Sequence, residues 1–187
     1  YTYLDGKSEE TIKKAVVERY PREQIRIADK LPSWMIKNKE ECMNYFQIQC
    51  ERCGVTYFDT YLLHWINEEN YEIAKKQEEF LFLQQLKKEG KAKLVGFSYH
   101  DSAALLERIL MEQPEIDIVQ LQINYLDWES AGVEARKCYE TALKYNKKIV
   151  VMEPVKGGTL ASIPDEAMSC FRSINEDASA ASWAIRF

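Results

Sequence analysis

The sequence predicts an α/β protein with a parallel sheet, of the (β/α)8 or TIM-barrel type. Five short apolar segments of the 187-residue chain have the composition of buried strands: residues 25–30, 57–65, 94–99, 116–123 and 148–154. Each carries a polar residue at or near its C-terminal end, and amphipathic stretches of helical period separate them. Polar groups that follow strand ends predict a site at the C-terminal face of a barrel.

Capping and breaking residues place helices between these strands. The signals are N-cap residues such as Ser8 and Ser179, acidic residues in a first turn, and a glycine such as Gly54 at a helix end. We predict a polar loop over residues 66–71 before the third helix, and Asp101 as the N-cap of the fourth. The predicted helices cover about residues 8–19, 38 or 40 to 54, 73–89, 101–112, 133–145, 164–171 and 179–187.

The composition predicts one mildly acidic domain over residues 1–187. The formal net charge is −5, and the hydrophobic fraction of 46% is enough for a sizeable core. Lysines and arginines are scattered along helix faces, so we expect neither a nucleic-acid nor a membrane partner. No run approaches the ~18 apolar residues of a membrane span, and no signal-peptide pattern opens the chain. Five cysteines without a disulfide framework favour a reducing, cytoplasmic setting.

The predicted strands are too few to close a barrel. A closed barrel of this class has eight strands, so about three strands' worth of sheet is missing. The chain also starts at Tyr1 without a methionine and ends at Phe187 inside a predicted helix. We therefore expect a fragment, a processed product or the ordered part of a longer protein. Two open sheet edges would favour aggregation or self-association.

Three side chains are predicted to meet at the C-terminal face. Tyr3 lies in the first loop, Lys30 ends the first strand, and His64 lies near the end of the second. A neighbouring ammonium stabilises phenolate, so Lys30 is expected to lower the pKa of Tyr3 from ~10 toward neutrality. An imidazole can orient a carbonyl substrate or share the proton. Such a trio suits carbonyl reduction, in which hydride reaches carbon while Tyr3 protonates oxygen.

The cysteines are interpreted as structural. Cys50 and Cys53 form a C-x-x-C pair on a predicted helix, where a helix-surface pair is favoured over a metal or redox site. Cys42, Cys138 and Cys170 also lie on predicted helices and are interpreted as packing residues. No metal site is predicted.

Several motifs follow one another along nearly the whole chain. They are G-K-S-E-E, A-D-K-L-P, Y-L-L-H-W, G-F-S-Y-H-D, V-Q-L-Q-I-N-Y and M-E-P-V-K-G-G-T-L. In order, spacing and wording they resemble the aldo-keto reductase family. L-H-W and M-E-P-V-K-G-G are similar to its bacterial and archaeal branch, which often carries a C-terminal iron–sulfur domain. The cysteine clusters of that domain do not occur in this sequence, so no iron–sulfur cluster is expected in this chain.

The resemblance implies a TIM barrel that binds NADPH or NADH without a Rossmann domain and reduces an aldehyde or ketone. It assigns Tyr3 as the proton donor, with Lys30 and His64 beside it in a Tyr-Lys-His-Asp tetrad. The aspartate of that tetrad would fall just upstream of Tyr1, so this sequence lacks it. The family's first two strands would mostly precede Tyr1, and its eighth strand would follow Phe187.

The resemblance also implies a cofactor site at the strand ends. Ser98 resembles the serine that holds the nicotinamide carboxamide, and Gln120 resembles the glutamine that shares this task. Met152 falls where many members place a tyrosine under the nicotinamide ring, which a thioether can cover but cannot stack on in the same way. The expected cofactor-binding residues are Ser98, Gln120, Met152, Glu153 and Gly157.

The sequence leaves the choice between NADP and NAD open, with NADP preferred. Gly157 and Gly158 can approach a phosphate through their backbone N–H groups, or can form only a tight turn. The family segment that binds the 2′-phosphate and adenine would follow Phe187.

Each of the three candidate catalytic side chains also has a structural interpretation, and the chain has alternative functions. His64 can be a packing or capping residue, Lys30 a snorkelling surface lysine, and Tyr3 a surface aromatic of a fraying loop. Their occurrence together in motif order favours catalysis on a small-molecule carbonyl substrate, whereas His100 is interpreted as structural. The missing aspartate and Met152 favour a non-catalytic NAD(P)-binding regulatory or interaction protein. An inactive fragment is a further alternative.

Overall fold

A computed structural model describes all of residues 1–187. Its centre is one sheet of five parallel strands, ordered as they follow along the chain. The strands are β1 (Ala28–Leu31), β2 (Phe58–Ile66), β3 (Ala92–Tyr99), β4 (Ile118–Gln122) and β5 (Lys148–Met152). The predicted α/β fold is confirmed in the form of a partial barrel, although β1 begins later than the predicted residue 25.

One helix precedes the first strand, and others connect each strand to the next and follow the last one. They are α1 (Lys7–Ile12), α2 (Lys39–Cys53), α3 (Glu68–Lys76), α4 (Glu79–Lys88), α5 (Ala103–Glu112), α6 (Ala135–Lys144), α7 (Asp165–Arg172) and α8 (Ala180–Arg186). A π-helical turn, Lys13–Val17, extends α1. None of these helices combines the length and the apolar character needed to cross a membrane.

Local sequence signals explain the ends of α2 and the start of α8. The Asn38 side chain accepts a hydrogen bond from the Glu41 N–H at 3.2 Å. Gly54 ends α2 in the left-handed conformation, with φ 69°. The Ser179 hydroxyl accepts from the Ser182 N–H at 3.1 Å. The predicted helix start near Asn38, the stop at Gly54 and the cap Ser179 are confirmed. The predicted cap Ser8 is wrong, because Ser8 lies inside α1, and the residue at the N-cap position is Gly6.

Three predictions about the connections are wrong. Residues 66–71 are not a loop, because β2 continues to Ile66 and the Asn67 side chain caps α3 directly after it. The predicted single helix over residues 73–89 is two helices, since Glu78 between α3 and α4 is left-handed, with φ 58°. The side chain that caps α5 is Ser102, not Asp101.

Alternate side chains of each strand face opposite sides of the sheet. On β3, Val95, Phe97 and Tyr99 are buried among the helices, and the Phe97 ring contacts Phe80 of α4 edge-on. Ser98 lies between two of them in sequence and therefore faces the barrel side. Buried apolar residues of strands and helices form one continuous hydrophobic cluster. The interface between sheet and helices is thus the core, and the barrel side carries polar strand-end groups together with apolar residues such as Leu62 and Ile118.

A charged cluster closes the N-terminal end of the sheet. The Asp59 carboxylate of β2 pairs with Arg22 at 2.7 Å and with Lys93 at 2.8 Å. It also accepts a hydrogen bond from the Ile27 N–H at 3.0 Å. Both cations lie over the Tyr57 ring, 4.0 and 4.7 Å from its centroid. The cluster lies at the opposite end of the strands from the predicted site, so we interpret it as structural.

The C-x-x-C pair is free and lies on α2, but it is not a surface pair. Cys53 is buried, and its Sγ lies 3.9 Å from a carboxylate oxygen of Asp29. Burial, and then the charge of Asp29, raises the pKa of Cys50 to about 11 and that of Cys53 to about 12. Thiols held neutral in this way are poor nucleophiles and poor metal ligands.

The remaining cysteines differ in burial. Cys42 and Cys138 are buried, which confirms their predicted packing role. Burial raises the pKa of each to about 12. The packing role predicted for Cys170 is wrong, because this residue is exposed on α7, a helix with no buried residue.

The two edges of the sheet are β1 and β5, each paired with a single neighbour. Adjacent residues Val150 and Val151 of β5 are both exposed, so both faces of this strand are open to solvent. Open edges match the predicted incomplete barrel. Self-association through them stays a prediction.

The closest backbone approach at a glycine lies between β3 and β4. Gly96 pairs with Ile118 in the parallel register. A Cβ atom on Gly96 would lie 1.9 Å from the carbonyl oxygen of Ile118 and 2.8 Å from its carbonyl carbon. A side chain at this position would therefore push apart the two strands that carry Ser98 and Gln120.

We expect Gly96→Ala to destabilise the protein by about 3 kcal/mol or more, because the methyl group collides with backbone that cannot rotate away. Gly132→Ala is the matched control, since its nearest neighbour would be the Ser130 hydroxyl at 3.9 Å. Urea unfolding followed by circular dichroism measures both variants. Equal stability of the two would contradict the close packing of β3 on β4.

Candidate active site

The C-terminal ends of β1 and β2 bring together the three residues predicted to be catalytic. The Tyr3 hydroxyl and the Nε2 atom of His64 share a hydrogen bond of 3.2 Å. The Lys30 Nζ atom lies over the Tyr3 ring, 5.5 Å from its centroid. Tyr3 opens the turn Tyr3–Gly6 ahead of α1 and is 53% exposed, so its side chain lies at the mouth of the site.

Sheet register puts Lys30 and His64 on the same side. Lys30 pairs with Leu62 across the β1–β2 ladder, and His64 follows Leu62 by one full alternation. The side chain of Gln49, fully buried on α2, donates a hydrogen bond to the Lys30 carbonyl at 2.8 Å. Gln49 also accepts a hydrogen bond from the Tyr61 hydroxyl. One helix side chain thereby ties β1 to β2 just below the site.

The electrostatics of the site keep His64 neutral. Burial, followed by the positive charge of Lys30, lowers the pKa of His64 to about 4. Burial also lowers the pKa of Lys30, and the Asp29 carboxylate opposes that shift. Burial raises the pKa of Asp29 itself to about 6. At neutral pH a neutral imidazole therefore lies beside an ammonium group.

The expectation that Lys30 lowers the pKa of Tyr3 is wrong. Burial raises the pKa of Tyr3, and the charges of Asp29 and Glu153 raise it further. The reason is geometric, because the ammonium lies over the ring while the hydroxyl bonds to the uncharged ring of His64. Tyr3 is therefore a neutral phenol at neutral pH, which is the form that can donate a proton.

Two tryptophans at the mouth of the site were not predicted. Trp34, in the 3-10 turn Ser33–Met35 after β1, packs edge-on against His64 with ring centroids 5.0 Å apart. Trp65 directly follows His64 and packs edge-on against Trp34 at 5.6 Å. The two residues are 36% and 47% exposed, so both present apolar surface to an incoming ligand. Sequence gives no signal for this placement, since most tryptophans are largely buried.

Trp65 has a backbone conformation that is rare for a bulky residue. Its φ is 61°, where the β2–β3 register shifts between Leu63 and Ile66. The Ser98 hydroxyl oxygen accepts a hydrogen bond from the Trp65 N–H at 2.8 Å. The Asn70 side chain donates to the Trp65 carbonyl at 2.7 Å. These two bonds hold a strained backbone at the edge of the site.

Ser98 and Gln120 form a polar pair that fits a primary amide. They are direct partners in the β3–β4 register and share the barrel side of the sheet. The Oε1 atom of Gln120 is buried without a hydrogen-bond donor. The Ser98 hydroxyl accepts from Trp65 and keeps its own hydrogen for donation. A nicotinamide carboxamide carries one NH2 and one carbonyl group, so the two protein groups match the implied cofactor.

The other predicted cofactor residues lie at and after the end of β5. Met152 is the last residue of β5 and is half-buried. Glu153 is exposed with φ 58°, and its carbonyl accepts from the Asn124 side chain at 3.1 Å. Gly157 is exposed with φ 61°, within the 3-10 segment Lys156–Ala161. The charge of Glu153 acts on Tyr3, so this loop faces the same mouth.

An ion pair that was not predicted fixes this glycine-containing loop. The Lys156 ammonium pairs with the buried carboxylate of Asp127 in the loop after β4. The second oxygen of Asp127 accepts from the side chains of Gln122 and Asn124, each at 2.8 Å. The positive charge of Lys156 is therefore already neutralised by the protein.

The fold and the site together define a barrel-type α/β domain with a polar site at its strand ends. Parallel strand ends bring a lysine and a histidine to a tyrosine of the N-terminal turn, next to a pair that fits a carboxamide. Residues 1–177 match the sequence pattern of the aldo/keto reductase family, and the chain belongs to that family. A comparison with curated protein sequences gives no match.

Solved bacterial aldo-keto reductases share this fold. The holo form of one from Bacillus halodurans matches with a TM-score of 0.71 and 18% identity, over 98% of this chain and 64% of that one. One from Klebsiella pneumoniae, in complex with NADP and acetate, matches with a TM-score of 0.69 and 20% identity, over 96% of this chain and 60% of that one. One from Brucella melitensis matches with a TM-score of 0.73 and 21% identity, over 95% of this chain and 64% of that one. This chain therefore spans 60–64% of the length of these three proteins.

We expect the His64 ring to titrate near pH 4, and Lys30→Met to raise its pKa because a positive charge beside the ring is lost. NMR can follow both histidines of the chain, with His100→Gln for assignment. Lys88→Met, at the exposed end of α4, is the control and should leave the titration unchanged. A His64 pKa that does not respond to Lys30→Met would contradict this coupling.

The same shift makes folding stability depend on pH. Between pH 6.5 and 4 the unfolded chain binds the His64 proton and the folded protein does not. The contribution of His64 is thus complete above pH 6.5 and is lost as the pH falls toward 4.

Proposed function

We propose that the protein reduces a small aldehyde or ketone to the alcohol with NAD(P)H, and that Tyr3 is the proton donor. The observation that carries this proposal is the Tyr3–His64 hydrogen bond of 3.2 Å, formed with the Lys30 ammonium over the tyrosine ring. Family membership supports the reaction class. The NADP complex of the Klebsiella pneumoniae protein supports NADP as the preferred cofactor.

Tyr3 supplies the proton of the proposed reaction. The nicotinamide, when bound, supplies hydride to the carbonyl carbon. Negative charge then develops on the carbonyl oxygen, and the neutral phenol of Tyr3 donates its proton to that oxygen. The Lys30 ammonium over the ring offsets only part of the cost of the phenolate that is left, so the phenolate is short-lived and water returns a proton to it.

His64 acts as a neutral group in this proposal. Because its pKa is about 4, the imidazole carries no proton that it could deliver as an acid at neutral pH. It instead orients the Tyr3 hydroxyl through the shared hydrogen bond. A neutral ring also adds no positive charge next to Lys30, so the ammonium is not forced to give up its proton.

The cofactor-binding residues are proposed from the same rim. The buried Oε1 of Gln120 would accept from the carboxamide NH2, and the Ser98 hydroxyl would donate to its carbonyl. Met152 would cover the ring with its thioether. Glu153 and Gly157 would line the loop beyond it, where the glycine leaves room for close backbone approach.

We expect Tyr3→Phe to lower kcat by at least ~10²-fold with any aldehyde that the protein reduces, because the proton donor is removed. Oxidation of NADPH with benzaldehyde as the probe measures the rate. Tyr20→Phe is the matched control, since Tyr20 is exposed and makes no side-chain hydrogen bond within the protein. NADPH fluorescence should show unchanged cofactor binding in both variants.

Two results would count against this proposal. A Tyr3→Phe variant as active as the unmodified protein would exclude Tyr3 as the acid. NADPH binding without oxidation by any aldehyde or ketone, in the unmodified protein, would favour a non-catalytic cofactor-binding protein on the same barrel.

We expect Ser98→Ala to weaken NADPH binding by about tenfold, equivalent to ~1.4 kcal/mol, because a donor to the carboxamide and the acceptor for the Trp65 N–H are both lost. Ser173→Ala, which removes an exposed hydroxyl after α7, is the control. Fluorescence titration with NADPH measures both dissociation constants. An unchanged constant for Ser98→Ala would remove Ser98 from the cofactor site.

A further inference from the structure

Glu79 is a buried carboxyl that the proposed chemistry does not use. It is the first residue of α4 and is fully buried. Its Oε2 atom accepts a hydrogen bond from the Ser33 hydroxyl at 2.6 Å, and its Oε1 atom is buried without a partner. Burial raises the pKa of Glu79 to about 7, although the bond from Ser33 opposes the shift. Such a group is expensive to bury, and an apolar residue here would be cheaper.

The single partner of Glu79 belongs to the turn that carries Trp34. Ser33 is fully buried and opens the 3-10 turn Ser33–Met35, which follows β1. Two backbone hydrogen bonds close this segment, from Met35 to Pro32 and from Ile36 to Ser33. The Ser33–Glu79 bond is the one side-chain hydrogen bond that reaches the turn from another element. It therefore fixes the turn relative to α4.

Trp34 transmits the position of this turn to the site. Its indole packs edge-on against the His64 ring, with centroids 5.0 Å apart, and edge-on against Trp65 at 5.6 Å. Because Trp34 directly follows Ser33, a displacement of the turn would move the indole away from His64. The ring would then lose apolar cover on the side where Trp34 stands.

We propose that Glu79 is a positioning residue of the site, which through Ser33 holds Trp34 against His64 and so shapes the pocket for the carbonyl substrate. The part that concerns the substrate rests on the proposed reductase function. The part that concerns Trp34 and His64 does not, because it can be measured without turnover.

The test compares five single variants and one double variant of the full chain. Glu79→Leu and Ser33→Ala break the hydrogen bond, and Trp34→Ala removes the indole. Glu79→Gln retains an acceptor for Ser33. Glu89→Leu is the matched control, because it removes an exposed carboxylate at the other end of α4.

The first readout is the NMR titration of His64. Glu79→Leu, Ser33→Ala and Trp34→Ala should each raise the pKa of His64 by about one unit, because water reaches the ring. The Ser33→Ala/Trp34→Ala double variant should show no larger shift than Trp34→Ala alone. Glu79→Gln, which keeps an acceptor for Ser33, should show little of this increase in the His64 pKa, and Glu89→Leu should show none.

The second readout is the reduction of benzaldehyde by NADPH. Glu79→Leu and Ser33→Ala should raise KM by roughly fivefold and change kcat by less than about twofold, because the pocket and not the proton donor is altered. Activity that is absent from every protein, together with the expected His64 shifts, would refute the reductase function and leave the positioning of Trp34 supported.

Several results would overturn the proposal. One is a folded Glu79→Leu or Ser33→Ala variant with the His64 titration and KM of the unmodified protein. Another is a Trp34→Ala variant whose His64 pKa is unchanged, since the indole would then not cover the ring. If Glu79→Leu does not fold, Ser33→Ala decides. If neither folds, the bond is a folding contact and the proposal fails.

Discussion

The parallel register of the strands decides which side chains can meet in this protein. Lys30 pairs with Leu62 and Ser98 pairs with Gln120, so the polar groups of successive strand ends arrive on one side of the sheet. That register holds only while β3 and β4 keep their close approach at Gly96. The hydrogen bond between Tyr3 and His64 depends on it indirectly, because β2 is aligned by β3 on one side and by β1 on the other.

Local chemistry made most of the fold predictable, and packing explains the exceptions. A cap such as Asn38 and a stop such as Gly54 act within one turn of the helix, so the sequence shows them directly. The break at Glu78 has no such signal, because a left-handed glutamate is favoured by tertiary packing and not by its residue type. The start of α3 was also missed. Residues 66–71 are mostly polar and so predicted a loop, but Asn67 caps α3 directly after β2.

Part of the site could be predicted because strand ends can be found in a sequence. Lys30 and His64 are polar residues at the ends of apolar runs, and the structure brings both to Tyr3. Gln49 also has a sequence signal, since it lies in helical phase with Phe46 on the buried face of α2, where a polar side chain needs a partner. The raised pKa of Tyr3 has no signal in the sequence, because it depends on burial and on the distances from Tyr3 to Asp29 and Glu153.

Because the cysteine thiols differ in burial, their alkylation rates can report on opening of the core. Cys42 on α2 is buried and held neutral, so an alkylating reagent reaches it only when this helix separates from its neighbours. Cys170 stands open on α7 and is accessible in the folded state. Modification kinetics on the unaltered chain would therefore report surface accessibility through Cys170 and the frequency of local opening through Cys42. The modification rate of Cys42, compared with that of Cys170, would thus measure how often the interface between sheet and helices opens locally.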